Sequence, residues 1–114
     1  MEEYMLIYRG GDPAWMTRPA EEKQATMAKW GAWFSKLSEK GQLVNGGSPL
    51  QFSGKRLTKA GVVTDIAASE LKELVSGYSV VKAKSYDEAV ALSKECPILA
   101  TEGAWIEIRA VAPM

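Results

Sequence analysis

The sequence predicts an α+β fold of the ferredoxin-like type, β-α-β-β-α-β, with an inserted β-hairpin. Three observations carry this expectation. Two segments each run strand, helix, returning strand, and together they occupy nearly all of the 114 residues. The stretch between them carries a hairpin signal, and 46% hydrophobic content suits one core. A single domain over residues 1–114 follows.

Residues 4–8 (Tyr-Met-Leu-Ile-Tyr) form a continuous apolar and aromatic run, too short for a helix and suited to a central strand buried on both faces. Arg9-Gly10-Gly11-Asp12-Pro13 ends it. A helix is expected over 19–40, where Pro19 fits a first turn and Glu21 and Glu22 sit near the positive end of the helix dipole. Met27, Trp30, Phe34 and Leu37 recur at three- and four-residue steps and share one face, which puts Trp33 off the edge of the stripe. Lys29, Lys36, Glu39 and Lys40 fall largely on the other side. Gly41 terminates the helix, and Leu43-Val44-Asn45 reads as the returning strand, stopped by Gly46-Gly47-Ser48-Pro49.

In the middle, Arg56-Leu57-Thr58 and Val62-Val63-Thr64 flank Lys59-Ala60-Gly61, a hairpin whose turn uses glycine to accept a positive φ. Residues 69–75 read as loop or turn, because so short a stretch shows no decisive period. Ser79-Val80-Val81-Lys82-Ala83 is the next strand. Ser85-Tyr86-Asp87-Glu88 then forms a capping box that starts the second helix, with Ala89, Leu92 and Cys96 as its core stripe and Pro97 as its stop. The last strand, 105–111, alternates Trp105, Glu107, Arg109 and Val111 against Ile106, Ile108 and Ala110.

Two helices cover one face of such a sheet and leave the other bare. A small sandwich of this kind buries its second face well against another copy, so a homodimer is expected.

Composition narrows the function classes. Fourteen basic and fourteen acidic side chains cancel, so the net field of a nucleic-acid or anionic-membrane binder is absent, and neither partner is expected. No apolar run approaches the roughly 20 residues that span a bilayer. The single Cys96 forms no internal disulfide, and Met1-Glu2-Glu3 does not open a signal peptide, so the expected location is cytoplasmic. The chain has no histidine, which removes Ser-His and Cys-His pairs and the commonest neutral metal ligand. No metal and no cofactor is expected. The pairs Gly10-Gly11 and Gly46-Gly47 belong to no nucleotide fingerprint, and turn geometry accounts for both.

Gly41-Gln42-Leu43-Val44-Asn45-Gly46-Gly47 after an amphipathic helix, Val63-Thr64-Asp65 after a hairpin, Gly77-Tyr78-Ser79-Val80-Val81 before a capped helix, and Trp105-Ile106-Glu107-Ile108-Arg109 at the end together resemble the YCII-related proteins. The closer resemblance is to their Asp-Gly-Pro-Phe subgroup. There the hairpin leads into Thr-Asp-Gly-Pro-Phe, whereas here it leads into Thr64-Asp65-Ile66-Ala67-Ala68, so the aspartate stands without the rest of the signature. The resemblance implies a dimeric α+β barrel, in which two ferredoxin-like sheets close around a shared interior. In some YCII-like proteins it also implies a His-Asp pair in lyase or dehalogenating chemistry. An ungapped count back from Gly41 puts that histidine position on Trp30.

Asp65 is the candidate catalytic residue, since an acid at a strand end that opens into a cleft acts as a general base when partly desolvated. Its ordinary alternative is a turn cap. Arg9 and Arg109 are candidates for orienting a carboxylate or phenolate, with surface ion pairing as the alternative, and their two strands are not expected to be adjacent. Arg9 is the better candidate. Trp30, Trp33, Phe34 and Tyr78 can line a pocket for a planar organic ligand; core packing explains Trp30 and Phe34 equally, while Trp33 is freer. Trp15 is unclaimed in the first loop, and Cys96 reads as a small buried hydrophobe.

Two functions compete on these residues. One is a small homodimeric ligand-binding or regulatory module with a cleft between sheet and helices. The other is a cofactor-independent lyase or isomerase on a small aromatic or oxygenated metabolite, with Asp65 or Tyr78 handling a proton and Arg9 orienting the substrate. A metal-free monooxygenase is a third option by fold analogy alone.

Overall fold

A computed structural model describes residues 1–65 and 73–114. Its elements in chain order are β1 (Glu2–Arg9), α1 (Ala20–Glu39), β2 (Leu43–Asn45), β3 (Lys55–Leu57), β4 (Val63–Asp65), β5 (Val75–Ala83), α2 (Tyr86–Ser93) and β6 (Trp105–Ala110), with 3₁₀ turns at Trp15–Thr17 and Pro97–Ala100. The main sheet has the order β2-β5-β1-β6, and its neighbours are all antiparallel. This is the ferredoxin-like arrangement. Each strand-helix-strand unit splits to admit a strand of the other, so the two central strands, β1 and β5, come from different units.

The expectation that Arg9 and Arg109 lie on non-adjacent strands is corrected here. β1 pairs with β6 from Tyr4 to Arg9, with Arg9 opposite Trp105 and Met5 opposite Arg109. The split topology is the reason: the last strand returns to the free side of the first.

Strand alternation sorts the core. Tyr4, Leu6 and Tyr8 of β1 and Ser79, Val81 and Ala83 of β5 are buried under the helices. Met5 and Ile7 on β1 and Tyr78 and Val80 on β5 point the other way and are only half-buried, and among the described residues no helix covers that face. Among the described residues the apolar run of β1 thus has a tenant for one face only.

Helix α1 starts one residue after Pro19, has Glu21 and Glu22 in its first turn, and gives way to Gly41 at φ +68°. Its core face differs from the predicted stripe. Trp33 is 4% exposed and Leu37 is buried, whereas Met27 is 59% exposed. The residue expected to be free is therefore the most enclosed aromatic of the helix. Periodicity cannot see the second helix on that flank, where the Trp33 indole donates to the Leu92 carbonyl at 3.2 Å and Lys36 pairs with Glu95 at 2.9 Å. Met27 lies on the half of the helix that projects past these contacts.

The capping box at α2 forms with one change. Ser85 Oγ accepts from the Glu88 amide at 3.2 Å, while Glu88 Oε1 accepts from the Lys84 amide rather than that of Ser85. The helix ends at Ser93, a turn before the expected stop at Pro97. Proline forces its predecessor out of the helical region, and Cys96 is extended at φ −66°, ψ 130°, so the buried thiol comes from the turn and not from the helix.

The hairpin forms as expected, with Lys55 opposite Asp65, Arg56 opposite Thr64 and Leu57 opposite Val63, and Gly61 at φ +83° in its turn. It is a separate two-stranded sheet, an insertion and not an extension of the main one. The loop or turn expected over 69–75 lies, for 69–72, outside the described residues, and Val75 opens β5.

Candidate functional site

The helix-covered face holds the chain's one buried polar chain among the described residues. Tyr8 Oη donates to Ser79 Oγ at 2.7 Å, and Ser79 Oγ donates to the Gly46 carbonyl at 2.7 Å. Both strands are central, so neither hydroxyl reaches water, and the bonds satisfy groups whose burial alone would destabilise the fold. The carbonyl is brought in by the Gly46-Gly47 turn. Gly47 sits at φ +72°, and a Cβ there would lie 1.8 Å from the Tyr78 carbonyl oxygen, so only glycine lets this loop run so close to β5.

Aromatic rings enclose this chain. Trp30 meets Tyr8 edge-on at 5.2 Å between centroids, Trp33 at 5.9 Å and Phe34 at 5.7 Å. Trp30 and Phe34 remain half-exposed, and Phe34 also lies 3.6 Å from where a Gly46 Cβ would be. The Cys96 thiol borders the Tyr8 hydroxyl. Burial pushes the Tyr8 phenol far above its usual range, with the neighbouring thiol adding to the effect. Burial also pushes the Cys96 thiol up to about 11. Both groups are neutral at neutral pH and unsuited to removing a proton, and the Tyr8 proton is already given to Ser79 Oγ.

Arg9 lies on the opposite face, half-buried at the rim of the sheet. A register shift between Tyr8 and Arg9 re-aims its side chain. Its Nη2 pairs with Glu107 Oε1 at 2.8 Å, its Nη1 donates to the Glu73 carbonyl at 2.7 Å, and its guanidinium stands 5.6 Å from the Trp105 ring centroid. Arg109 reaches the same carboxylate at 3.9 Å. Arg9 therefore cross-links β1 to β6 and to residue 73, with most of its donors engaged.

The five predicted site residues do not converge. Trp30 and Trp33 are under α1; Arg9 and Tyr78 are on the bare face of the sheet; Asp65 is on the hairpin, its side chain 82% exposed and ion-paired with Lys55. Sequence reasoning also missed Tyr8 and Ser79 as a polar pair. The signal was slight: a hydroxyl residue inside each of two apolar central strands, which matters only once the register sets them on one face. Trp15 sits half-exposed in a loop tied by Asp12, whose carboxyl accepts from the Ala14 amide and from Arg18. Among the described residues no helix is long and apolar enough to cross a membrane, and no group of three or more His, Cys, Asp or Glu could hold a metal ion.

Sheet order, helix placement and a buried hydroxyl pair under an aromatic cluster define a small ferredoxin-like α+β domain. The chain belongs to the YCII-related domain family, whose family model matches residues 3–114. A search of curated proteins found no match. Among solved structures, the chain is similar to 5-chloro-2-hydroxyhydroquinone dehydrochlorinase (TftG) from Burkholderia phenoliruptrix AC1100, determined in complex with 2,5-dihydroxybenzoquinone. The identity is 18%, covering 91% of this chain and 90% of that one, with a TM-score of 0.38.

Proposed function

We propose that this protein is a homodimeric module that binds a small planar ligand beside Trp30, Phe34 and the Tyr8–Ser79 hydroxyl pair. The carrying observation is the chemistry of that site: aromatic walls and hydroxyl or thiol groups that burial keeps protonated, with no ionised side chain among them. Such a site orients a ligand without moving its protons. Asp65, the residue that would supply proton chemistry, lies on the separate β3–β4 hairpin, paired with Lys55.

The homodimer is supported by surface. The chain exposes 7970 Å², about 1,800 Å² more than the roughly 6,100 Å² expected of a compact monomer of its mass. Its radius of gyration is 15.5 Å, against about 13 Å for a compact chain of this length, and its extents are 43 × 43 × 20 Å. A plate with Met5, Ile7, Tyr78 and Val80 on its bare face gains by meeting a second plate, and that closure is the dimeric α+β barrel. Within the family, the hairpin that ends in Asp65 supports the Asp-Gly-Pro-Phe subgroup, and the single cysteine fits a reducing, cytoplasmic compartment.

The test is native mass spectrometry of protein purified from its own host, followed by tryptophan-fluorescence titration with a panel of hydroxylated monocyclic aromatics. Binding that Trp30→Ala weakens at least tenfold supports the module. Turnover of a retained metabolite that is lost in Asp65→Asn would replace it with the lyase or isomerase reading. Absence of any retained compound and of any titratable binding would remove the site.

A further inference from the structure

The β3–β4 hairpin is an unsupported ribbon. Among the described residues its substantial contacts are between its own two strands, and Leu57 is 73%, Val62 52% and Val63 59% exposed. Two-stranded hairpins are at best marginally stable alone in water. This one nevertheless has a formed turn, with the Thr58 amide donating to Val62 O at 3.0 Å and the Gly61 amide to Thr58 O at 2.9 Å. Cover from outside the described residues would steady it.

Its register says which face wants cover. Leu57 pairs directly with Val63, and two residues along, Lys55 pairs with Asp65. Period-two alternation sets all four on one face of the ribbon, an apolar pair beside an ion pair, with Arg56 on the reverse. Charge points to the rest of this same chain. Lys55, Arg56 and Lys59 stand against Asp65 alone in 55–65, which leaves eleven bases against thirteen acids elsewhere. The arm carries a net charge of +2 and the rest of the chain −2.

We infer that the hairpin is an arm that crosses to the second copy of the homodimer, laying its Leu57–Val63 face on the partner and carrying Asp65 into the interface. This rests on the homodimer proposed above. The surplus of about 1,800 Å² per chain matches one partner's share of a permanent interface, which buries roughly 1,000–2,500 Å² on each side, and the arm's exposed valines and leucine are part of it. The consequence is chemical as well as structural. An acid that is open to water in one chain becomes enclosed between two, so any acid chemistry of Asp65 belongs to the dimer.

The experiment places the photo-reactive p-benzoylphenylalanine at position 57 of the full chain, with a control at exposed position 29 on α1. Irradiation should give a cross-linked dimer from position 57 and none from position 29, while sedimentation of the wild type shows a dimer at micromolar concentration. A dimeric wild type with no cross-link from position 57 overturns the arm and leaves the dimer standing. A monomeric wild type overturns both. As a second measurement, the double variant L57D/V63D should weaken self-association at least tenfold with the circular dichroism of the main fold retained; unchanged association overturns the arm.

Discussion

The Tyr8 hydroxyl donates to Ser79 Oγ at 2.7 Å across the two central strands, and Ser79 passes the bond on to the Gly46 carbonyl. This relay joins the first strand, the fifth and the loop after the second, and it sits under Trp30. It is the point where the fold and the proposed ligand site are the same structure.

Its two members should not be equally costly to remove. Tyr8→Phe deletes the first donor and leaves Ser79 bonded to Gly46, so it should lose about 1 kcal/mol. Ser79→Ala strands both the phenol and the carbonyl and should lose about 2–3 kcal/mol. Urea denaturation of the two variants and their double checks this, and the double should cost less than the sum.

Gly47→Ala should be far more damaging than Gly41→Ala, although both glycines have positive φ. At Gly47 the new methyl would meet the Tyr78 carbonyl at 1.8 Å, whereas at Gly41 nothing lies within 4 Å. Strain alone accounts for about 1 kcal/mol at Gly41, and the clash at Gly47 should add several more or prevent folding. Thermal melts of the pair decide it.

Trp33→Ala should lose about 3–5 kcal/mol, since the ring is buried and its indole bonds the Leu92 carbonyl. Met27→Ala should change stability by less than about 0.5 kcal/mol, since the side chain is mostly in water. Equal effects in chemical denaturation would refute the assigned core face of α1.

Cys96 should resist alkylation at pH 8 in the native protein, and its raised pKa should make the fold sensitive to alkali. A thiol held at about 11 when folded and at 9.0 when unfolded keeps its proton in the native state after the unfolded chain has released it. The stability it contributes is complete below pH 9 and lost as the pH rises through about 11, on the order of 2–3 kcal/mol in all. Cys96→Ala should show a shallower fall in Tm between pH 9 and 11 than the wild type.

Ile7→Lys places a charge on the bare sheet face without touching the helix-covered core. Sedimentation should show that this variant loses the self-association proposed for the wild type, with secondary structure kept. Unchanged assembly would place the dimer contact elsewhere.

Much of the architecture was legible in residue patterns. Helix α1, both strands of the hairpin, the capping box at Ser85 and the apolar face of β6 follow from periodicity, glycine placement and caps, which are local effects that neighbouring residues decide together. What escaped was anything set by a second element. Trp33 looked peripheral because one helix's stripe says nothing of the helix beside it, and Arg9 seemed far from the last strand because pairing order is not a local property. The dispersed site has the same origin: Arg9, Trp30 and Asp65 each suit a ligand one by one, but the fold sends Arg9 to the bare sheet face, Trp30 to the helix over the other and Asp65 to a separate ribbon.

The chain's own residues thus decided its class, its elements and the presence of a sheet face that the two helices leave bare, because those depend on hydrophobic period and backbone chemistry within a few residues. Only the tertiary structure decided that Tyr8 and Ser79 form a buried pair, that Trp33 is core, and that Arg9 is tied to Glu107. Each of those contacts joins residues more than fifty positions apart, and strand register, which no short stretch of sequence encodes, sets which of them meet.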